Sequence, residues 1–487
     1  MTDSFIANAL WQEKLFTGKW VSGSAEPVVV AEPASGKELG NIAMASPEGV
    51  AQSCKAAKQA FAAWSATHFE ERANVLRKAA QIMQENFDAI TDVLIRESGS
   101  IRAKAEFEVS LSIKVLNESA ALPSQSQGEV LPAAPGKISI ARRKPLGVVG
   151  VISPFNFPLY LAIRAVAPAL AVGNAVVLKP DPRTAVCGGV SIARVFELAG
   201  LPEGLLHMLP GDGAAGAALT ENPDVAMIQF TGSTNAGKKV GEAASRHLKK
   251  VSLELGGKNS LIILDDADID LAIANATWGA WLHQGQICMS TGRILVQRKI
   301  YDEFVSKLAD KAKQLPVGDP ATEQVALGPI INEHQRDNIS RILKAAVENG
   351  AKIEAGGDYS GLFFQPTVLS GVTPDSPAFN EEIFGPVAVV IPFDTDEEAA
   401  QLANQTEYGL SAGIIANNVG RALNLSQQLN TGLLHINDQT VNDEVVNPFG
   451  GTGASGNGTS VGGAANWEEF TQWQWLTIQS EAPRYPL

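Results

Sequence analysis

Residues 146–180 read LGVVGVISPFNFPLYLAIRAVAPALAVGNAVVLKP, and this stretch decides the fold class. A β-branched run from Leu146 to Ile152 is followed by a polar turn, an apolar segment of helical length and a second such run from Asn174 to Lys179. Strand, helix and strand in this order, with nearly continuous apolar strands, indicate a parallel sheet covered by helices. Proline, asparagine and arginine interrupt the stretch, so we expect no membrane span.

The same alternation continues towards the C-terminus. After Gly257 a second α/β pattern begins, with a helix predicted from Asp268 to His283. The further predicted strands are Leu205–Leu209, Val225–Phe230, Val251–Leu255, Ser260–Leu264, Gly292–Gln297, Val387–Pro392, Ala412–Ala416 and Gly432–Asn437. The sequence therefore predicts an α/β protein built from two successive α/β units.

Other segments lie outside this alternation. Helical spacing of apolar residues predicts helices from Pro47 to Trp64 and from Glu70 to Ser98. Val130 to Arg143 is rich in proline, glycine and alanine and is predicted to be an extended hairpin, and Trp473 to Ile478 a short terminal strand. We expect this arm and this strand to pair with another subunit.

Composition excludes some classes of function. The 487 residues exceed what one hydrophobic core usually serves, so two or three domains are expected. The formal charge of −14 argues against a nucleic-acid partner. The three cysteines lie far apart and form no metal-binding pattern, so we expect no metal. Sparse free thiols and an N-terminus without a signal-like pattern suit a cytoplasmic protein.

Two glycine-containing turns are candidate phosphate sites. Gly211–Gly216 matches the GxGxxG dinucleotide pattern, but no acidic residue lies about twenty positions later, and a plain βα turn explains it equally well. Gly232 and Ser233 follow a predicted strand and would open a helix whose free amides suit a phosphate. A capped helix start is the alternative for this second turn.

Four polar residues stand in apolar surroundings and could carry chemistry. Asn156 either caps a turn or donates a hydrogen bond to an oxyanion, and Lys179 ends a buried strand where its charge needs a partner. Glu254 ends another apolar strand, and burial would raise its pKa and suit it to act as a general base. Cys288 follows a predicted helix and is either an inert core thiol or a nucleophile.

Taken together, seven motifs closely resemble the aldehyde dehydrogenase superfamily. They occur in family order and are Pro154–Pro158, Leu178–Pro180, Phe230–Ser233, Leu253–Gly257, Gly285–Cys288, Glu381–Pro386 and Pro448–Gly451. Gly453 and Thr459 replace a lysine and an arginine that are usual in the family, and with the segment 466–475 they resemble the bacterial benzaldehyde and vanillin dehydrogenase branch.

The resemblance implies a fold and a domain organisation. We expect a Rossmann-type NAD(P)-binding domain from residues 1–125 and 145–256, an α/β catalytic domain from 257–460, and a small β oligomerisation arm from 126–144 and 465–487. The apolar terminal strand and the Val130–Arg143 arm lead us to expect a homodimer or a homotetramer. In this family the turn at Gly211 is not the main phosphate clamp.

The resemblance also assigns roles to the candidate residues. Cys288 would be the nucleophile, Glu254 the general base and Asn156 an oxyanion donor, so that an aldehyde becomes a carboxylic acid through a thiohemiacetal and a thioester on Cys288. A dinucleotide would be held by Ile152, Pro154, Lys179, Gly232, Ser233, Glu382 and Phe384, with Lys179 and Glu382 on the two riboses and Gly232 and Ser233 at the pyrophosphate.

The choice of cofactor stays open between NAD and NADP. Many members of the family that prefer NAD carry a glutamate where this chain has Pro182. Without that carboxylate nothing obvious repels a 2′-phosphate, and the neighbouring Arg183 could attract one. Asp181 could instead bond a ribose hydroxyl, which favours NAD.

The resemblance favours an aromatic, benzaldehyde-like substrate. The pocket is predicted to be lined by Phe157, Tyr160, Leu282 and Phe449, which offer flat apolar walls. An aliphatic aldehyde or a semialdehyde is the alternative, and a carboxylate on the substrate would need Arg164 in that pocket. A catalytically silent structural protein on this fold is a further alternative.

Overall fold

The first predicted strands form the centre of a seven-stranded sheet. The structure, a computed structural model, describes residues 5–486, so residues 1–4 and 487 of the predicted domain ranges lie outside it. In order across the sheet, the strands are Lys250–Glu254, Val225–Thr231, Val148–Ile152, Ala175–Lys179, Leu206–Met208, Lys14–Phe16 and Trp20–Ser22. The first five are parallel, as predicted, and the last two are antiparallel.

Helices pack against this sheet and close its core. They are Asn8–Trp11, Pro47–Ala66, Phe69–Glu85, Phe87–Ser98, Arg102–Ala121, Pro158–Ala171, Ser191–Ala199, Gly213–Glu221 and Thr234–Arg246. A ribbon of Ala25–Ala31 with Glu38–Met44 completes this part of the chain. No helix within residues 5–486 is both long and apolar enough to cross a membrane.

The single helix predicted from Glu70 to Ser98 is wrong. The chain breaks at Asn86, whose φ of −113° and ψ of 25° are not helical. Its side-chain amide donates a hydrogen bond of 2.7 Å to the carbonyl of Ile82 and so ends the first helix. Hydrophobic spacing continues through the break, which is why the pattern alone does not reveal it.

A second seven-stranded sheet follows. Its strands, in order, are Lys352–Ala355, Thr367–Ser370, Val387–Phe393, Thr291–Gln297, Asn259–Ile263, Ser411–Ile415 and Leu433–Ile436, and all but the first are parallel. Its helices are Ile269–Trp281, Arg298–Gln314, Glu333–Glu348, Pro377–Asn380, Asp396–Asn404 and Val419–Ser426. The predicted helix from Asp268 therefore ends at Trp281, before His283.

The predicted arm and the terminal strand pair with each other within one chain. Thr471–Gln479 pairs along its whole length with Lys137–Pro145, which in turn pairs with Gly128–Leu131. The helix Ala465–Phe470 leads into the last strand. Thr471–Gln479 and Gly128–Leu131 are the two edge strands of this sheet, so the expectation that these segments pair with another subunit stays a prediction.

The strand ends of the two large sheets face each other, and the site lies between them. The chain leaves the strand Lys250–Glu254 and enters the strand Asn259–Ile263 through residues 255–258. The carboxyl edge of the first sheet therefore faces the amino edge of the second. We call this junction between the two sheets, at residues 255–258, the seam. A later part of the chain packs next to it: the Asn457 side chain accepts a hydrogen bond from the Leu253 amide and donates one to the Val251 carbonyl.

Candidate active site

A crevice of about 830 Å³ lies between the two sheet edges. Its walls include every residue predicted to hold a dinucleotide, namely Ile152, Pro154, Lys179, Gly232, Ser233, Glu382 and Phe384. Asn156, Glu254 and Cys288 line the same crevice. The fold thus brings together, from strands far apart in sequence, the residues that the motifs singled out.

Cys288 lies on a turn that tertiary contacts hold in an unusual backbone conformation. His283 and Gln284 have left-handed φ values of 50° and 58°. Three hydrogen bonds of the Gln284 side chain offset the strain of this backbone conformation. Its amide nitrogen donates to the carbonyls of Gly99 and Pro329, and its oxygen accepts from the backbone amide of Gly328. This turn presents the Cys288 thiol to the crevice, whereas the other two cysteines are buried.

The Cys288 thiol is protonated at neutral pH in the isolated protein. Burial raises its pKa to about 12, and the carboxyl groups of Glu382 and Glu254 act in the same direction. His283, which is close in sequence, is not suited to activate it as in a cysteine protease: the side chain is fully buried, and burial holds the pKa of its ring well below the usual value. Cys288 can therefore act as a nucleophile only when a ligand in the crevice favours loss of its proton.

Glu254 is a buried carboxyl group without a hydrogen-bond partner. It ends the strand Lys250–Glu254, and neither of its oxygens is bonded within residues 5–486. Burial raises its pKa well above the usual value, while the charge of Arg164 lowers it in part. The raised pKa predicted from the sequence is confirmed. A buried carboxyl group with a raised pKa and unbonded oxygens is a candidate general base.

The side-chain amide of Asn156 lies at the end of the crevice and is free to donate a hydrogen bond. Asn156 lies in the turn between the strand Val148–Ile152 and the helix Pro158–Ala171, and its side chain has no hydrogen-bond partner within residues 5–486. The backbone amide of Cys288 is likewise unpaired there. Two free donors beside one thiol are an arrangement that can hold an oxyanion.

A second, mainly apolar cavity opens on the other side of the thiol. Cys288 and Asn156 line both spaces, so the cavity and the crevice meet at these two residues. The cavity is lined by all but one of the predicted pocket residues and by others that the sequence did not single out: Phe157, Tyr160, Leu282, Phe449, Phe107, Leu111, Trp278, Ile287, Met289 and Val441. A flat apolar group fits between such walls.

Arg164 is the exception, and its predicted place in the pocket is wrong. Its guanidinium is 4% exposed, lies 4.6 Å from the centre of the Phe449 ring and pairs with the Asp443 carboxylate. It also donates to the Tyr160 hydroxyl at 3.1 Å and to the Val461 carbonyl at 3.1 Å. Its charge is therefore neutralised behind the wall of the cavity and is not available to a substrate carboxylate.

The dinucleotide side of the crevice offers one open helix start. Ser233 caps the helix Thr234–Arg246 and lines the crevice, whereas the Gly232 amide already donates to the Glu254 carbonyl at 3.0 Å. Glu382 accepts from the Gly257 amide at 3.1 Å, and a Cβ on Gly256 would overlap its carboxylate. These residues fit a dinucleotide, because the start of the helix Thr234–Arg246 and the Glu382 carboxylate line one groove.

The Gly211–Gly216 turn takes no part in this groove. Asp212 caps the helix Gly213–Glu221 by accepting from the amides of Ala214 and Ala215. A carboxylate at that helix start opposes a bound phosphate. Among residues 5–486, no group of three or more histidine, cysteine, aspartate or glutamate side chains is placed to hold a metal ion.

Three charged residues near the Asn156 turn and the apolar cavity were not predicted from the sequence. Asp443 lines the apolar cavity, and Lys104 and Glu108 form a fully buried ion pair under the Asn156 turn. A signal for the pair was present, because a lysine and a glutamate four residues apart stand on the buried face of the helix Arg102–Ala121. No pattern in the sequence pairs Asp443 with Arg164.

Comparison with known proteins agrees with this geometry. The model of the aldehyde dehydrogenase family matches residues 20–476. A vanillin dehydrogenase from Amycolatopsis sp. is 55% identical over 99% of this chain and 100% of its own length, and an NAD(+) benzaldehyde dehydrogenase from Pseudomonas putida is 46% identical over 98% of each. A betaine aldehyde dehydrogenase from Staphylococcus aureus, solved with NAD+, has a TM-score of 0.94 at 30% identity and covers 99% of this chain and 98% of its own.

The thiol pKa predicts the pH dependence of alkylation. Because deprotonation of Cys288 is suppressed below a pKa of about 12, its labelling rate with iodoacetamide in the absence of cofactor should rise roughly tenfold per pH unit from neutral pH to pH ~9 without a plateau. Mass spectrometry of the labelled peptide measures the rate, with Cys288→Ser as the control. A plateau at or below pH ~8 would contradict the assignment.

Proposed function

The chain belongs to the aldehyde dehydrogenase family, and on that premise we propose that it oxidises an aromatic aldehyde to the carboxylic acid, with NAD or NADP as the hydride acceptor. One observation carries the proposal: the Cys288 thiol lies where a dinucleotide-sized crevice and an apolar cavity meet. An aldehyde in the cavity would reach the thiol from one side and a hydride acceptor from the other.

The first half of the reaction uses Cys288 and its two neighbouring donors. The Cys288 thiol first loses its proton to water, and the resulting thiolate adds to the aldehyde carbon, whose oxygen becomes an alkoxide. The Asn156 amide and the Cys288 backbone amide hold that charge, which water would otherwise have to solvate. A dinucleotide held by Lys179, Ser233 and Glu382 supplies the hydride acceptor when it is bound.

The second half of the reaction uses Glu254. Cys288 then carries the acyl group as a thioester, and Glu254 takes a proton from a water molecule that attacks the acyl carbon. The C–S bond breaks, the carboxylic acid is released and Cys288 leaves as the thiolate. Its oxygens are unbonded within residues 5–486, so they are available to a water molecule in the crevice. Hydrolysis by this base also favours a free acid over an acyl group transferred to coenzyme A.

The walls of the cavity favour an aromatic ring over an acidic aliphatic chain. Phe157 and Phe449 offer flat surfaces near the thiol. A semialdehyde with a carboxylate would need a free cation, and Arg164 is already paired with Asp443. The Asp443 carboxylate itself lines the cavity and would repel a second carboxylate.

The residues after Lys179 favour NAD over NADP within this proposal. Asp181 accepts from the Arg183 guanidinium at 2.8 Å and 2.6 Å, so the charge that could attract a 2′-phosphate is neutralised. Arg183 also lies 4.3 Å from the centre of the Phe155 ring. A phosphate would have to displace Asp181 from this arrangement, at a cost in binding free energy.

A substrate panel tests the proposed function. The purified chain is offered benzaldehyde, vanillin, hexanal and succinic semialdehyde, each with NAD and with NADP, and absorbance of the reduced cofactor is followed. We expect the highest kcat/KM for the two aromatic aldehydes with NAD, and no turnover by Cys288→Ala. Turnover by that variant would overturn the mechanism, whereas a preference for hexanal would overturn only the aromatic substrate.

Replacing the base should separate the two halves of the reaction. Glu254→Gln cannot take a proton from water, so acylation should proceed and hydrolysis should stop. Rapid mixing with benzaldehyde and NAD should give a burst of about one NADH per active subunit followed by turnover slowed about 10²-fold or more. Intact mass should show the benzoyl thioester on Cys288. Loss of the burst would show that Glu254 acts before acylation instead.

The polar end of the cavity predicts a preference among aromatic aldehydes. Asp443 Oδ2 takes the hydrogen bonds from Tyr160 and Arg164, and Oδ1 has no partner within residues 5–486. A ring hydroxyl is a donor that Oδ1 could accept. Asp443→Asn should therefore lower kcat/KM for para-hydroxybenzaldehyde about tenfold relative to benzaldehyde. The exposed neighbour Glu444→Gln is the control, and equal losses on both aldehydes would contradict this role.

We also propose that the chain assembles as a homodimer or homotetramer in the cytoplasm. One face of the three-stranded sheet carries aliphatic side chains that strand register places together: Val130, Ile138, Ile140, Leu476 and Ile478. Val130 is 79% exposed and Ile138 is 52% exposed. An exposed apolar face of this kind usually marks a contact between proteins.

Sedimentation velocity tests the assembly. The wild-type chain should sediment as a dimer or a tetramer, and the double substitution Val130→Lys with Ile478→Lys should shift it to smaller species, because burying two unpaired charges opposes association. Leu423→Lys is the control, since Leu423 is 50% exposed on the helix Val419–Ser426, which belongs to the second sheet. A monomeric wild type would contradict the proposal.

A further inference from the structure

The turn that carries Asn156 is held from below by an ion pair on another helix. Lys104 and Glu108 stand four residues apart on the helix Arg102–Ala121, and both side chains are fully buried. Lys104 Nζ lies 2.5 Å from Glu108 Oε2. Neither residue lines the crevice or the apolar cavity, so neither would touch the substrate.

Lys104 is bound directly to the turn. Its ammonium donates a hydrogen bond of 2.7 Å to the backbone carbonyl of Asn156 and lies 4.0 Å from the centre of the Phe157 ring. The carbonyl of Asn156 and the Asn156 amide side chain belong to the same residue, so fixing the first restricts the second. The ring of Phe157, which lines the apolar cavity, is restrained by the same cation.

Glu108 replaces a missing helix cap. The helix Pro158–Ala171 has Phe157 at its N-cap position, and the Phe157 side chain cannot accept a hydrogen bond from the first amides. Glu108 Oε1 accepts from the amides of Leu159 at 2.9 Å and Tyr160 at 3.2 Å. The ion pair thus binds both ends of the short segment from Asn156 to Tyr160.

We propose that Lys104 and Glu108 are positioning residues that hold the Asn156 amide where the aldehyde oxygen becomes an alkoxide. An oxyanion donor is effective only when it is already in place, since a shift of about 1 Å can cost about 10²-fold in rate. The inference rests on the proposed function, because it assumes that Asn156 meets that oxygen.

Energetics argue against a role in packing alone. Two fully buried charges are expensive to desolvate, and apolar side chains of the same volume would often stabilise a core better. The ion pair makes directed hydrogen bonds to three backbone groups of one turn. Two apolar side chains could not make these bonds. Directed bonds define a geometry, and a geometry is what an oxyanion donor needs.

A double-mutant cycle with Asn156 tests the inference. Lys104→Met, Asn156→Ala and the combination are mixed with excess benzaldehyde and NAD, and the rate of the first turnover is followed. Lys104→Met should slow this step about 10²-fold, and Asn156→Ala should slow it at least as much. The combination should be no slower than Asn156→Ala alone, because the amide that Lys104 positions is already gone.

Controls separate positioning from folding. Lys114→Met removes an exposed lysine from the same helix and should change nothing. In Lys104→Met, alkylation of Cys288 by iodoacetamide should keep the wild-type rate, because that reaction needs no oxyanion donor. If the unpaired Glu108 prevents folding, Lys104→Met with Glu108→Gln removes both charges and leaves an oxygen to cap the helix, and the same loss is expected there.

The outcomes are distinct. Full first-turnover rate in a folded Lys104 variant, or rate losses that multiply in the cycle with Asn156→Ala, would overturn the positioning role. A parallel loss of Cys288 alkylation would show a structural role instead. No reduced cofactor from the wild-type chain with any aldehyde would contradict the proposed function itself, which this inference assumes.

Discussion

Parallel strands end at one edge of their sheet, and the crevice depends on that constraint. Asn156, Lys179 and Glu254 follow or end strands of the first sheet, so they share its carboxyl edge. Cys288 and Glu382 precede parallel strands of the second sheet, so they share its amino edge. Because residues 255–258 run directly from one sheet to the other, the two edges face each other, and no long loop is needed to bring these side chains together.

The seam between the sheets also explains the electrostatics. Glu254 is buried there and Cys288 is partly buried, and loss of solvation raises both pKa values. Two charged groups near the seam have ion-pair partners instead: Arg164 is paired with Asp443, and Lys104 is paired with Glu108. Glu254, which exchanges a proton in the proposed reaction, has no hydrogen-bond partner within residues 5–486, whereas Arg164 and Lys104, which hold positions, are paired. This division follows from the cost of burying an unpaired charge.

Much of the architecture follows from patterns in the sequence. The strands at Val148–Ile152, Ala175–Lys179 and Lys250–Glu254 stand where β-branched runs predict them, because a strand buried on both faces is apolar throughout. The break at Asn86 was not predicted, since apolar spacing continues across it. The pairing of the terminal strand with Lys137–Pro145 was not predicted either, because the pattern of a strand does not reveal its partner.

By itself the sequence determined the α/β class and, through its motifs, the family and the residues that could carry the chemistry. Each motif is a short continuous stretch of residues, so the sequence alone shows it completely. Only the tertiary structure decided that Arg164 pairs with Asp443, that Glu108 caps the helix at Leu159, and that Lys104 holds the Asn156 carbonyl. Each of these contacts joins segments far apart along the chain, and the free energy of a buried charge depends on partners that only the folded chain brings within hydrogen-bond distance.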